Sequence, residues 1–181
     1  MKANLSINAL SVSAILFSGM ASAAITGTTS AEMTFVTTIT TGTCTAKVYN
    51  GSTQTSTIAF GDIYTSDVGK MTKPLTIKFT ACNGVTAASV TAAAGSGGVC
   101  TGEAYTTPAD TTNTGFEVWK GDAADVTGNL MGCTTPPTTQ KVSVSGGTAE
   151  FPMTSRIVAA SGKTPVPGAI SAPVTFTVGY E

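Results

Sequence analysis

An all-β sandwich of immunoglobulin-like type is the fold class the sequence predicts, on three observations. Several stretches alternate apolar and polar residues with period two, the repeat of a strand that buries one face. These stretches are bounded by glycine, proline, aspartate and asparagine, which form turns, and no segment carries a convincing 3.6-residue amphipathic pattern. The composition agrees: 35 of 181 residues are threonine, with abundant valine, 20 glycines and very little arginine, an inventory that suits pleated strands better than helices. Short strands separated by turn signals in a chain of this size indicate a sandwich.

Met1 and Lys2 open the chain, followed by an uncharged, mostly apolar run over residues 3–20 and the small triplet Ala21, Ser22, Ala23. A basic start, an apolar middle and a small-residue end read as an export signal over residues 1–23. Asn4, Ser6, Asn8, Ser11, Ser13 and Ser18 interrupt the run, which makes it a poor bilayer span. Removing the first 23 of 181 residues leaves 158, with 8 basic and 10 acidic side chains, the size of one domain with one core. No later segment is long and apolar enough to span a bilayer as a helix. A net charge so near zero gives no electrostatic ground for nucleic acid or anionic lipid as a partner.

Residues 24–30 are small and polar without pattern. Met33, Phe35, Thr37 and Ile39 then alternate with Glu32, Thr34, Val36 and Thr38, shortly before Cys44. Two readings stand for this segment: the first strand of the chain's own sandwich, or a strand that leaves its domain to complete a neighbour's sheet.

The remaining strand candidates are residues 58–60, 75–81, 87–92, 115–120, 141–145, 151–158 and 172–180. The clearest is 75–81, where Leu75, Ile77, Phe79 and Ala81 point one way and Thr76, Lys78 and Thr80 the other, with Cys82 at its end and Asn83-Gly84 as the turn. In 115–120, Phe116 and Val118 share one face while Glu117 and Trp119 take the opposite one. Residues 95–98, 106–114 and 134–139 are loops by composition. The closing strand puts Val174, Phe176, Val178 and Tyr180 on one face, with Glu181 after it. So apolar a strand belongs in a core rather than at a frayed end.

Export decides what the cysteines do. Cys44, Cys82, Cys100 and Cys133 are even in number and show no C-x-x-C spacing for zinc or redox chemistry, so they read as two structural disulfides. Four cysteines allow three pairings and spacing does not choose among them; the expectation is Cys44 with Cys82 and Cys100 with Cys133. Closing a loop the size of Cys44 to Cys82 is worth roughly 4 kcal/mol on the chain-entropy model.

Chemistry is mostly excluded. There is no histidine, hence no histidine-based triad or metal cage and no imidazole proton shuttle. Asp122 and Asp125 form a carboxylate pair in name, but the run of glycine, aspartate and asparagine around them is that of a turn. Asp62 and Asp67 likewise sit beside Gly61 and Gly69 in loops. No enzyme, cofactor or metal site is expected. Trp119, Tyr49, Tyr64 and Tyr105 are the aromatics that could stack on a sugar in a receptor-binding role, against the commoner fate of lone aromatics as core or scattered surface.

Four features together resemble subunits of chaperone-usher pili, the type 1 fimbrial protein family, over nearly the whole chain. They are the export signal; the alternating segment ending at Ile39, five residues before Cys44; Ile58-Ala59-Phe60-Gly61-Asp62-Ile63 followed by Leu75-Thr76-Ile77-Lys78-Phe79-Thr80-Ala81-Cys82; and the closing Val174-Thr175-Phe176-Thr177-Val178-Gly179-Tyr180-Glu181. The resemblance implies an incomplete immunoglobulin-like sandwich that lacks its last strand. The gap is filled first by a strand of a periplasmic chaperone and then by the amino-terminal extension of the next subunit, a case of β-augmentation. It divides the chain into an export signal (1–23), a donor-strand extension (24–41) and a pilin domain (42–181).

On this resemblance Met33, Phe35 and Ile39 are donated knobs. Val174, Phe176, Val178 and Tyr180 line the groove and engage the chaperone, and Glu181 meets basic chaperone residues. The implied partners are chaperone, outer-membrane usher and neighbouring subunits, with a tip adhesin as a further candidate; the implied location is a fimbria at the cell surface. Cys44 with Cys82 matches the family's disulfide. Two features depart from the pattern: Thr37 stands where family donor strands usually carry glycine, and the pair Cys100 and Cys133 suggests a minor or specialised subunit. A rod or tip-adaptor subunit is the reading, with a single-domain adhesin as the alternative.

Overall fold

The structure, a computed structural model, describes residues 29–39, 44–135 and 140–181. The expected export signal, residues 24–28 and 40–41 of the expected extension, residues 42–43 at the expected start of the domain, and residues 136–139 of one expected loop lie outside the described residues. Among those described, the chain forms β1 (Thr29–Ile39), β2 (Thr45–Asn50), β3 (Thr53–Gln54), β4 (Thr57–Ile63), β5 (Thr72–Thr80), β6 (Ala87–Ala94), β7 (Val99–Thr101), β8 (Ala104–Thr106), β9 (Thr114–Lys120), β10 (Gln140–Ser143), β11 (Ala149–Ala159) and β12 (Ile170–Tyr180), with one 3-10 turn at Thr65–Asp67. They build two sheets, ordered β10-β6-β12-β1-β4 and β3-β2-β5-β11-β9-β8-β7. The all-β, two-sheet expectation is therefore met.

Alternation places the core. Leu75, Ile77 and Phe79 of β5, Phe116 and Val118 of β9, and Phe151, Met153 and Ile157 of β11 are buried. From the other sheet Ile58, Phe60, Val90, Val174, Phe176 and Val178 join them in one cluster, the interdigitated layer of a sandwich. Both disulfides form as expected, Cys44 with Cys82 and Cys100 with Cys133. The first ties the start of β2 to the end of β5, and the second ties β7 to the segment after Met131.

Several local expectations are corrected. Ala81 does not share the apolar face of Leu75, Ile77 and Phe79: β5 ends at Thr80, Ala81 takes a positive φ of 52°, and its side chain is exposed. The chain turns out of the ladder there, and Cys82, its N–H donating to the Gly147 carbonyl at 3.0 Å, takes the inward position beside Cys44. The Asn83-Gly84 bend closes no hairpin, because β5 and β6 belong to different sheets; it carries the chain from one layer to the other. Thr106 and Thr114, expected in a loop, are the ends of β8 and β9.

The short strands β2, β3, β7 and β8 escape a sequence reading because their apolar alternation is too brief. Their partners create them: β2 lies along β5 from Thr45↔Thr80 to Tyr49↔Thr76, and β7 and β8 pair with each other at Val99↔Thr106 and Thr101↔Ala104. Gly115 has a packing role here, since a Cβ on it would lie 2.9 Å from the Ala104 Cβ. Only glycine allows β8 and β9 to approach this closely.

Candidate functional site

The last strand organises the site. Alternate residues of β12, namely Ile170, Ala172, Val174, Phe176 and Val178, are buried. One edge of β12 is taken by β6, antiparallel from Val174↔Ala94 to Tyr180↔Ala88. The other edge is taken by β1, which runs parallel from Ala31↔Ile170 to Ile39↔Val178. The far edge of β1 carries β4, antiparallel from Thr29↔Ile63 to Thr34↔Thr57. β4 is the last strand of its sheet, so β1 is the strand through which it joins.

The slot between β12 and β4 is thus one strand wide and filled by residues 29–39. Met33 is fully buried and Phe35 is 4% exposed, while Glu32, one residue before Met33, is exposed and Thr34 between the two is half-buried. The Phe35 ring stacks on Phe176 with centroids 5.0 Å apart, and the Phe35 N–H donates to the Ser56 carbonyl at 2.9 Å. Burying one such apolar side chain is worth about 1.5–3 kcal/mol. Of the residues expected to act as donated knobs, Met33 and Phe35 are brought into the core. Thr37 and Ile39 are placed by backbone register opposite Phe176 and Val178, and their side chains lie outside what is described.

The opposite wall is the part that a reading of the two chain ends misses. Ile58, Phe60 and Ile63 of β4 are all buried. The ladder slips between Ala31↔Gly61 and Glu32↔Ala59, leaving Phe60 as the extra residue of a β-bulge. Gly61, with φ of 74°, supplies the left-handed step such a bulge uses. Because of it Ile63 returns to the core three residues after Phe60 instead of two. The sequence signal for this wall is the Phe60-Gly61 step inside an otherwise alternating run.

Tyr180 and Glu181 lie past the end of the slot. The Tyr180 ring meets Phe79 edge-on at 6.2 Å, its hydroxyl donates to the Cys44 carbonyl at 3.4 Å, and burial raises its pKa. The main-chain oxygen of Glu181 accepts the Thr86 and Ala87 N–H groups at 2.7 and 3.1 Å. Its side chain pairs with Lys141 at 2.6 Å, with both groups about half exposed, a geometry that contributes little to stability.

Polar groups elsewhere are committed to structure. Asp125 binds Arg156, with Nη2 to Oδ1 at 2.8 Å, and that hydrogen bond lowers its pKa. Arg156 also pairs with Glu117 at 2.8 Å and lies 5.6 Å over the Trp119 ring. Trp119 does face away from Phe116 and Val118, yet it is only 9% exposed. The segment returning through Leu130, which bridges to Trp119, runs beside it. Tyr105 is fully buried, its hydroxyl donating to the Met131 carbonyl at 2.7 Å, and burial pushes its pKa up. Tyr64 stands alone at 62% exposed, and Tyr49 lies under the Lys78 ammonium. The four aromatics do not assemble one stacking platform.

Comparison with known proteins bears on this arrangement. A family model described as "Fimbrial protein" matches residues 33–181. The uncharacterised fimbrial-like protein YadL of Escherichia coli (strain K12) is 34% identical over 190 residues, covering 94% of this chain and 92% of its own. Among solved structures, the P pilus rod subunit PapA aligns with a TM-score of 0.52 at 16% identity, over 77% of this chain and 99% of that one. A chain from the structure of a chaperone-usher pilus, solved to explain rod uncoiling, aligns with a TM-score of 0.58 at 14% identity, over 93% of this chain and all of that one. The two structural likenesses speak to the fold.

Proposed function

Since the chain belongs to the fimbrial protein family, it is a pilus subunit, and we propose that it assembles by strand exchange at the slot between β12 and β4. In this reading the slot is first completed by a strand of a periplasmic chaperone. An outer-membrane usher then passes the subunit to its neighbour, whose extension replaces the chaperone strand. The subunit's own extension, residues 24–41 with Met33, Phe35, Thr37 and Ile39, is donated in turn to the next subunit. Val174, Phe176 and Val178 form the wall that receives an incoming strand, and Tyr180 and Glu181 extend the contact to the chaperone. The product is a fimbria that supports adhesion, reached by export through the periplasm after loss of residues 1–23. The work of the protein is assembly, and no catalytic step is assigned to it.

One observation carries the reading. The strand that closes the sheet, β1, lies on the amino-terminal side of Cys44, outside the segments bracketed by the two disulfides, and it is the strand that joins β4 to β12. A single separable strand therefore decides whether the core is covered. An uncovered β12 would present both an unpaired edge and an apolar face, which drives pairing with another chain. Main-chain hydrogen bonds would bind any incoming strand, and the pockets filled here by Met33 and Phe35 would select its side chains.

The test is to produce the subunit with and without its chaperone and to add a peptide covering residues 32–41 to the purified complex. Displacement of the chaperone by the peptide is the expected result. A complex that the peptide leaves intact, at concentrations where a scrambled control is equally inert, would count against exchange at this slot.

A further inference from the structure

We propose that the disulfide between Cys100 and Cys133 is a thiol-exchange site, opened by small thiols or dithiol proteins through attack on the Cys100 sulfur, and that its state is passed to β12 by the loop preceding Cys100. The second half rests on the assembly reading above, because β12 is a wall of the slot. The first half stands without it.

The two disulfides meet solvent differently. Cys44 and Cys82 are 7% and 8% exposed and belong to the core cluster. Cys100 is exposed, whereas Cys133 is half-buried and packs against that cluster. Exchange requires a thiolate to reach one sulfur of the bond while the other leaves, so access governs which bond opens and at which end. It selects this disulfide over the first, and Cys100 over Cys133 within it. Attack forms a mixed disulfide on Cys100 and releases Cys133 as a thiolate, which takes a proton from water. A monothiol stops there. A dithiol uses its second sulfur to displace Cys100, which leaves Cys100 and Cys133 as two thiols and the dithiol oxidised to its own disulfide.

Opening the bond leaves its surroundings in place. Thr134 and Thr135 stay tied to the Glu103 carboxylate through their N–H groups and hydroxyls. The Cys133 N–H donates to the Glu103 carbonyl at 3.0 Å, and the Tyr105 hydroxyl donates to the Met131 carbonyl at 2.7 Å. These hydrogen bonds keep the Cys133 segment beside the hairpin of β7 and β8, so the two thiols remain neighbours and the bond can form again.

What changes is the hold on Cys100. It sits in the middle of β7, the last strand of its sheet among the described residues, which pairs with β8 from Val99↔Thr106 to Thr101↔Ala104. Just before it, residues 95–98 close a tight loop against β12. The Gly95 N–H donates to the Pro173 carbonyl at 2.9 Å, and the Gly98 N–H donates to the Gly95 carbonyl at 2.8 Å. A Cβ on Gly95 would lie 3.1 Å from the Pro173 carbonyl carbon, and one on Gly98 would lie 3.0 Å from the Pro173 oxygen, so glycine at both positions lets the loop press on β12. With the disulfide closed, Cys133 pins the strand into which this loop runs. With it open, that pin is gone and the loop lifts from Pro173 more often, a local opening that leaves the rest of the sandwich closed.

The experiment treats the unmodified exported chain, with both disulfides formed, with reduced glutathione or with dithiothreitol, then quenches with iodoacetamide and maps the cysteines by mass spectrometry. Glutathione should appear on Cys100, and dithiothreitol should open Cys100 and Cys133 to alkylation at least about tenfold faster than Cys44 and Cys82. Equal rates for the two bonds, or glutathione on Cys133, would overturn the site. Amide exchange reads the second half: after dithiothreitol the Gly95 N–H should exchange about tenfold faster, with the β5 and β11 amides unchanged. An unchanged Gly95 amide would sink the link to β12, and loss of protection throughout would show the bond to be a structural staple only. None of these readouts uses a chaperone or a second subunit, so a failure here is distinct from a failure of strand exchange.

Discussion

Phe35 and Phe176 stack with ring centroids 5.0 Å apart and planes inclined by 20°, although one sits on the first described strand and the other on the last. Each belongs to an alternating run whose inward face the pleat dictates, and the parallel register of β1 on β12 brings the two faces together. The pair is the most direct report on whether the slot is occupied. Replacing Phe35 by Ala in the purified chain should lower its unfolding free energy by about 3–5 kcal/mol, the range for a buried aromatic. Chemical denaturation measures this, and a change no larger than that of a surface substitution would mean that β1 does not occupy the slot in solution.

Charge on the receiving wall should be more damaging than a cavity. Val174, Phe176 and Val178 are fully buried, and an aspartate at any of them would have to desolvate a carboxylate in the core. Each substitution should abolish capture by the chaperone and accumulation of the subunit in the periplasm. Immunoblotting of periplasmic extracts with and without chaperone is the measurement, and undiminished yield would contradict the assignment.

Deleting residues 24–41 separates the two roles of the slot. The truncated subunit keeps β12 and β4 and should still bind chaperone, yet it has nothing to offer the next subunit and should end any polymer it enters. Gel analysis of assembled fibres reads this directly. Normal incorporation between two other subunits would defeat the donor assignment.

Acid should loosen the Cys100 and Cys133 region through Glu103. Its carboxylate accepts the Thr134 hydroxyl and the N–H groups of Thr134 and Thr135, and the hydroxyls of Thr134 and Thr135 are the main cause that lowers its pKa from 4.5 to about 2. Gly132 makes room for it, since a Cβ there would fall 2.0 Å from Oε2. A depressed carboxylate pKa stabilises the fold fully above the unfolded value near 4.5, and that contribution fades as pH falls toward about 2. In thermal melts, Glu103→Gln should therefore be less stable than the parent at neutral pH, with the gap narrowing below pH 4.5. A gap independent of pH would show that the carboxylate charge is irrelevant.

Arg156 should matter more than an ordinary surface arginine. Its side chain is 15% exposed and bridges Glu117, which is 18% exposed, to Asp125. Arg156→Ala leaves the Glu117 carboxylate short of its cation and should cost about 2–3 kcal/mol, below the penalty for a fully buried pair. Glu117→Gln combined with Arg156→Ala should cost less than the sum of the two single changes, which a double-mutant cycle would measure.

Much of this was legible in one dimension. Period two marked Leu75, Ile77 and Phe79, Val174, Phe176 and Val178, and Met33 and Phe35 as inward-facing, because a pleated strand buries every second residue whatever its partner. Ala81 broke the pattern because the chain had to leave the ladder for Cys82 to meet Cys44. Trp119 became buried on an outward face because residues far along the chain run beside it. The bulge at Phe60 and Gly61 that turns Ile63 inward depends on the neighbouring ladder.

By itself, then, the sequence determined the class of the fold, the apolar character of the two strands that meet at the slot, and the absence of histidine chemistry. Only the tertiary structure decided which strands are neighbours, which cysteines pair, and that β1 lies between β12 and β4, parallel to the first and antiparallel to the second. The reason is that side-chain alternation encodes a face, whereas an edge is filled by whichever backbone can reach it. Here residues 29–39 fill the edge of β12 that β6 leaves open.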